Sequence, residues 1–336
     1  MNALVALIGV FALAAIALLG TMNSLSTVFG TVIPGLAVVI FVVGVIARIV
    51  SWARTAVPFR VTTTCGQQKS LPWIKHSKLD CPYTKTQTFW RMALEVLFFR
   101  SLFRNTQAGL AGDATDRRLV YGSSKYLWLG AIVFHYCFLV VIIRHFRFFY
   151  DPVPAWVQFI ERLDGFLQIG VPGWYLTSIG LTLGLLYLLF RRFTDPKVRF
   201  MSLPADYFAL FLLLGIAISG GVLRYTPLRT DIVGVKDLVS GLWSFSPVAL
   251  EGAHAMFFIH LFLVCVLLAY FPFSKLMHAG GIFFSPTRNL PNDNRARRHV
   301  NPWADEIPQT THTYDEWEEE FADVMKAAGM KLDKET

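Results

Sequence analysis

The stretch YLWLGAIVFHYCFLVVIIRHFR, Tyr126 to Arg147, decides how the rest of the chain is read. From Tyr126 to Ile143 it carries no Lys, Arg, Asp or Glu. A helix crossing the hydrocarbon core needs about 20 mostly apolar residues, and this run supplies them. It also holds two histidines, His135 and His145, ten residues apart. Strongly polar residues inside a span are rare and tend to have a function.

Five more runs of the same kind lie outward of it, at 2–20, 28–50, 170–190, 205–223 and 253–273. With 126–147 they predict six spans. Lipid offers no partner to a backbone N–H or C=O, so spans are helices or closed barrels. A barrel would read as short alternating segments, and these runs are continuous. The expected fold class is all-α: a polytopic membrane helical bundle of six transmembrane helices. Composition agrees, with 54% hydrophobic and 16% charged residues, against about a quarter charged in an ordinary soluble domain. No Lys or Arg precedes the run from Ala3 to Leu19, whereas a secretory signal opens with positive charge. It is read as a retained first span.

The charges sit between the runs. Segment 51–125 holds 12 Lys/Arg against 4 Asp/Glu, and 191–199 holds 4 against Asp195 alone. Segment 275–298 holds Lys275, Arg288, Arg295, Arg297 and Arg298 against Asp293. Segments 144–170 and 224–252 each balance 3 basic with 3 acidic residues. Excess Lys/Arg marks the cytoplasmic side. All three basic segments fall on one side of a six-span chain, so both termini are expected in the cytoplasm and the protein in the cytoplasmic (inner) membrane. The net charge of +8 follows from this bias and does not argue for nucleic acid.

Four regions follow: two spans in 1–50, a basic cytoplasmic loop in 51–125, a four-helix membrane core in 126–280 and a cytoplasmic tail in 281–336. Within the loop, Phe89 to Phe103 is too short and too charged to span, and reads as an interfacial or docking helix. In the tail, Thr313 to Glu316 reads as a capping box and Gly329 as a stop. Trp317, Phe321, Val324 and Ala328 then form one stripe. The stripe docks on a partner or packs on the loop 51–125; the sequence leaves both open. The four cysteines, Cys65, Cys81, Cys137 and Cys265, form no C-x-x-C, which argues against a covalent haem or a four-cysteine cluster on this chain. Cys137 and Cys265 lie in apolar runs, and all four read as reduced thiols.

Three more histidines, His254, His260 and His278, lie on or beside the last span. Neutral imidazoles in facing pairs are the axial ligands of low-spin b-type haem. His135 and His145 stand about 15 Å apart along a helix, and His260 and His278 about 27 Å, close to five whole turns and so on one face. Spans three and six run antiparallel. His135 and His278 then share the cytoplasmic depth, and His145 and His260 the outer depth. The expected ligand set is two haem b, one on each pair. His254, six residues before His260, competes with it. The unequal spacings require tilted helices or offset haems. Arg224, after the fifth span, is a candidate to pair a haem propionate, and Gly220 and Gly221 beside it to admit a porphyrin face. His254, Glu251, Lys236 and Asp231 are candidate proton acceptors for a quinone; each also reads as an interfacial loop charge. His76, His299 and His312 read as solvated.

Histidines ten apart on one helix and eighteen apart on the last resemble the nitrate reductase gamma subunit, a family of di-haem b quinol oxidases, over residues 120–280. The resemblance implies a di-haem b core and carries His135, His145, His260 and His278 onto its ligand positions. This chain differs in an extra first span, a long basic loop and a longer tail. Two stretches that periodicity does not explain, Val57 to Lys75 (VPFRVTTTCGQQKSLPWIK) and Phe284 to Pro302 (FSPTRNLPNDNRARRHVNP), resemble the DsrM family. Its members are cytochrome b subunits of DsrMKJOP complexes of dissimilatory sulfur metabolism. That resemblance implies menaquinone as redox partner. It also implies a cytoplasmic iron–sulfur subunit (DsrK) related to heterodisulfide reductase, a periplasmic tri-haem cytochrome c, a periplasmic iron–sulfur protein and a second quinone-interacting membrane subunit. The rival expectations are a gamma-type subunit of another quinol-linked complex, of nitrate or heterodisulfide reductase type, and a haem-free transporter or scaffold.

Overall fold

A computed structural model of the chain describes residues 1–55, 66–113, 115–165, 173–246, 248, 250, 252–297 and 312–333. Six of its helices are long and apolar enough to span a bilayer. They are α1 (Asn2–Met22), α2 (Ile33–Ala53, entered through a π-turn at Val28–Val32), α4 (Lys125–His145), α6 (Leu176–Thr194), α7 (Pro204–Tyr225) and α9 (Ala255–Tyr270). Shorter helices lie between and after them, among them α3 (Lys85–Phe98), α5 (Ala155–Asp164), α8 (Ile232–Trp243) and α10 (His278–Phe284). α11 (Tyr314–Ala327) ends the described chain. The chain is a multi-pass membrane protein. Leu4, Phe11, Val39 and Ile46 on α1 and α2 point outward, as side chains facing lipid do.

Along the bundle α4 packs on α6, α6 on α7, α7 on α1 and α9, and α9 on α1 and α2. Small residues let these backbones approach. A Cβ at Gly184 of α6 would stand 3.2 Å from the Phe134 backbone of α4. Leu181, Leu185 and Leu213 then fill the seam between α6 and α7. α8 folds back toward the bundle, burying Val235 and Leu238 against Ala17, Phe29, Phe257 and Phe258.

The last span does not run unbroken to His278. α9 ends at Tyr270, a 3-10 turn covers Phe271–Phe273, and Ser274 is extended before a second turn at Lys275–Met277. Proline at 272 removes a backbone donor and stops the helix. The expected single face over five turns is therefore corrected: His278 belongs to α10, not to the helix of His260.

The basic segment 51–125 holds more structure than its charge suggested. α3 is capped by the Thr84 side chain and closed by Phe99 in the left-handed region. Its last carbonyls are satisfied from α4, where Trp128 donates to Phe98 O at 2.7 Å and Tyr136 to Leu97 O at 2.7 Å. A hairpin of β1 (Thr106–Ala111) and β2 (Arg118–Ser123) follows, Thr106 facing Ser123. The tail helix α11 carries the capping box of Thr313 and Glu316, and Gly329 adopts φ +72° beyond it. It buries Met325 and Glu318, while Trp317, Phe321 and Val324 stay exposed.

Candidate functional site

Two histidine pairs bridge α4 to the last span and to α10 beyond it. His135 faces His278 with ring centroids 6.0 Å apart and planes at 85°. His145 faces His260 at 6.5 Å with planes at 20°. One pair lies at the end bearing the basic segments, the other toward the opposite end. α4 meets α9 through the His145–His260 pair and α10 through the His135–His278 pair.

Each ring is held by its Nδ1. His135 donates to Ala131 O at 2.7 Å and His145 to Val141 O at 2.7 Å, each the carbonyl one turn back. His278 donates to Lys275 O at 2.8 Å. His260 donates to Ser219 Oγ at 2.9 Å, whose hydroxyl donates onward to Ile216 O at 3.1 Å. With Nδ1 protonated, Nε2 keeps its lone pair, the tautomer a metal ligand needs. Among the described residues no hydrogen bond engages Nε2 on any of the four rings.

The pairs fit axial ligation of one iron each. A metal–nitrogen bond of about 2 Å on both sides, plus about 1 Å from nitrogen to ring centre, puts two centroids about 6 Å apart. Among the described residues no three His, Cys, Asp or Glu side chains converge. The donor set therefore suits a metal that brings its remaining ligands with it, as a porphyrin does. A Cβ at Gly220 would stand 3.1 Å from His260 Cε1. Phe99 and Phe134 stand edge-on to His135 at 5.0 and 4.8 Å.

A charged cluster flanks the His145 pair. Arg144, almost fully buried, pairs with Asp164 at 3.0 Å, whose side chain is only 2% exposed. The Asp164 carboxylate also accepts the Thr177 amide at 2.8 Å and its hydroxyl at 2.6 Å. Arg144 and Arg224 both lie against the Tyr175 ring, at 3.8 and 4.0 Å from its centroid. Tyr175 donates to Glu161 at 2.6 Å, and Arg147 bonds the same carboxylate oxygen. Burial and the bond to Glu161 push the Tyr175 phenol above its ordinary pKa, which keeps it a donor. A cleft of about 420 Å³ opens here, lined by Arg147, Val153, Gln158, Glu161, Arg162 and Tyr175.

Of the four candidate proton acceptors, the three within the described residues each have a separate partner. His254 is exposed and caps α9, its Nδ1 accepting from Met256 N at 3.2 Å. Asp231 caps α8, accepting from Gly234 N at 3.0 Å. Lys236 pairs with Asp151 at 3.5 Å. Glu251 lies outside the described residues, as do Cys65 and His299. Sequence reasoning missed Asp164, Glu161, Tyr175 and Ser219. A basic residue three or four places from an acidic one is an unremarkable loop pattern, and nothing local marks which loop charges become buried.

At the basic end the described parts of the two unexplained stretches bond to each other. Gln68 bonds Asn292 at 2.9 Å and also Asn294, and accepts from Arg295 at 3.2 Å. Asn292 donates its side-chain amide to the buried Cys81 thiol at 2.7 Å and its backbone N–H to Pro82 O at 2.5 Å. Asp80 gathers Arg100 and Arg104, each at 2.6 Å, while Arg91 donates to its carbonyl at 3.2 Å. Burial pushes the Asp80 carboxyl up, but hydrogen bonds from Arg100, Arg104 and Ser77 outweigh it and hold the pKa well below the ordinary value. Arg288 ties α3 to the tail through Glu95 at 2.8 Å.

The sequence profile of the family described as nitrate reductase gamma subunit matches residues 89–298. The chain is 49% identical over 286 residues to the Hdr-like menaquinol oxidoreductase cytochrome b-like subunit of Archaeoglobus fulgidus, covering 83% of this chain and 84% of that protein. It is 42% identical over 280 residues to the protein of the same description from Archaeoglobus profundus, covering 81% of each.

Proposed function

The chain belongs to the nitrate reductase gamma subunit family, and we propose that within it this protein is a di-haem cytochrome b subunit exchanging electrons between the menaquinone pool and a cytoplasmic iron–sulfur subunit. One observation carries the proposal: two imidazole pairs, spaced as axial ligands, with every Nδ1 engaged and, among the described residues, every Nε2 left open. Bound there, b haem supplies one-electron transfer at two depths of the bilayer. His135 and His278 would hold the inner group, His145 and His260 the outer. The positive-inside bias puts the basic end and both termini in the cytoplasm. The relatives' description as menaquinol oxidoreductase subunits supports a quinone as the membrane partner.

Menaquinol would dock at the outer end, where the cleft beside Arg147 offers aromatic and charged groups together. Glu161 is its proton acceptor in this reading. Tyr175 and Arg147 fix one carboxylate oxygen and leave the other to take a proton from a quinol hydroxyl. At the cytoplasmic end, the loop 66–123 and the exposed stripe of α11 would dock a heterodisulfide-reductase-like iron–sulfur subunit. The motif stretches that resemble the DsrM family favour a role in dissimilatory sulfur metabolism, with the further subunits of a DsrMKJOP-type complex. Deleting 301–336 should release the cytoplasmic partner and leave the haem spectrum unchanged.

The deciding experiment is a reduced-minus-oxidised absorbance spectrum of the purified chain, with extracted haem counted per polypeptide. Two haem b per chain are expected. A colourless protein would end the proposal.

A further inference from the structure

α2 carries a single charged residue, Arg48, and that residue shares a face with Gly44 and Trp52, each one turn away. All three contact the last span and its continuation. A Cβ at Gly44 would stand 2.8 Å from Pro272 Cβ and Cγ, so glycine permits the approach. Trp52 covers Gly281 and stands 5.9 Å from the Phe284 ring. Between them the Nε of Arg48 donates to Pro272 O at 3.1 Å. This leaves the terminal nitrogens of the guanidinium without a partner among the described residues.

The side chain lines a cleft of about 380 Å³ whose wall includes Trp52, Phe273, Lys275, His278 and Gly281. Lys275 is already paired with Asp206 at 2.8 Å. No carboxylate of the described residues pairs with Arg48, so it is the uncompensated cation beside His278. A half-buried guanidinium at the edge of apolar helices calls for an anion. Its planar fork suits a carboxylate or a phosphate. Two sources offer that chemistry, a haem propionate and a phospholipid headgroup. A snorkelling arginine would leave its stem along the lipid face. Here Nε is tied to the last span and the side chain borders the histidine cleft.

We infer that Arg48 receives a propionate carboxylate of the haem held by His135 and His278. α2, which lies outside the stretch matched by the family profile, then completes the inner site from a segment added to the shared core. The inference rests on the reading of those two histidines as haem ligands.

The test is a redox titration of the purified, haem-loaded chain, with the inner component identified as the one lost in His278→Ala. Arg48→Gln removes a positive charge that favours the added electron. The inner midpoint potential should fall by at least a tenfold change in the one-electron equilibrium, about 59 mV. The outer component should not move, and Arg48→Lys should recover most of the shift. An unmoved inner potential, or a change only in co-purified phospholipid, overturns the assignment. Should Arg48→Gln fail to assemble, redox-difference infrared spectra with carboxyl-labelled haem compare the wild type with Arg48→Lys. Labelled bands identical in the two proteins also overturn it. A wild-type protein without haem overturns the underlying proposal itself, whereas two normal components with neither moved overturn only the role of Arg48.

Discussion

The two ends of the bundle solve the same problem differently. Each has a histidine pair and an arginine–aspartate cluster. At the end of His145 and His260 the rings are nearly parallel, at 20°, and the cluster is an ion pair with Asp164 only 2% exposed. At the basic end the rings are nearly perpendicular, at 85°, and the cluster is a partly exposed fan of arginines on Asp80. The buried pair fixes its geometry by having nowhere else to put its charges. The exposed fan is softened by water and leaves a charged surface that a soluble partner can read.

The largest expected effect is the loss of one haem at a time. His135→Ala and His278→Ala should each remove the same component, and His145→Ala and His260→Ala the other. Perpendicular imidazole planes leave the iron orbitals closer in energy than parallel ones. Low-temperature electron paramagnetic resonance of the oxidised protein should therefore give two unlike low-spin signals, with the more anisotropic one absent from His278→Ala. Two identical signals, or loss of both from any single replacement, would break the contrast between the ends. Next in size is Asp164→Ala. It strands the Arg144 charge in a buried site and should cost about 3–5 kcal/mol of stability, read as a lowered thermal midpoint of the haem-loaded chain. Asp80→Ala, where solvent reaches the partners, should cost markedly less by the same measurement.

The six spans are legible in the sequence because bilayer thickness fixes how many apolar residues must run together, and that is a local property. The histidines that stand together are those of matching depth, since antiparallel spans order the depths without further information. The spacing of eighteen residues would put His260 and His278 on one helix face only if Phe271 to Met277 were helical, and Pro272 and the extended Ser274 break the chain there. Both pairs still form across the break, with ring centroids 6.0 and 6.5 Å apart. The hairpin was invisible because neither strand alternates apolar with polar and both are almost wholly exposed. The cluster around Tyr175 draws Arg144, Glu161, Asp164 and Arg224 from segments whose charges cancel in a sum. A balanced loop looks inert in sequence whether its charges are scattered or locked together.

A smaller effect separates the ends through their hydrogen bonds. His135, His145 and His278 bond backbone carbonyls, which no side-chain substitution removes. His260 alone depends on a hydroxyl, that of Ser219. Ser219→Ala should weaken retention at the outer site by about 10- to 100-fold, the usual cost of losing a ligand's supporting bond. Ser219→Thr, which keeps the hydroxyl, should restore it. Haem titration of the two variants measures this, and an equal loss at the inner site would contradict it.

The smallest effect concerns acid. The Asp80 pKa lies below its unfolded value of about 3.9. A depressed carboxylate stabilises the fold above the unfolded pKa, and that stability is lost as pH falls toward the folded one. The join between the two motif stretches should therefore hold unchanged from pH 8 to about pH 5 and loosen only below that. The amide of Asn292, which donates to Pro82 O two residues after Asp80, reports it. Its hydrogen-exchange protection should be flat across neutral pH and fall in acid, and Asp80→Asn should flatten the acid limb. A fall already within the neutral range would mean that the arginine fan on Asp80 does not control the join.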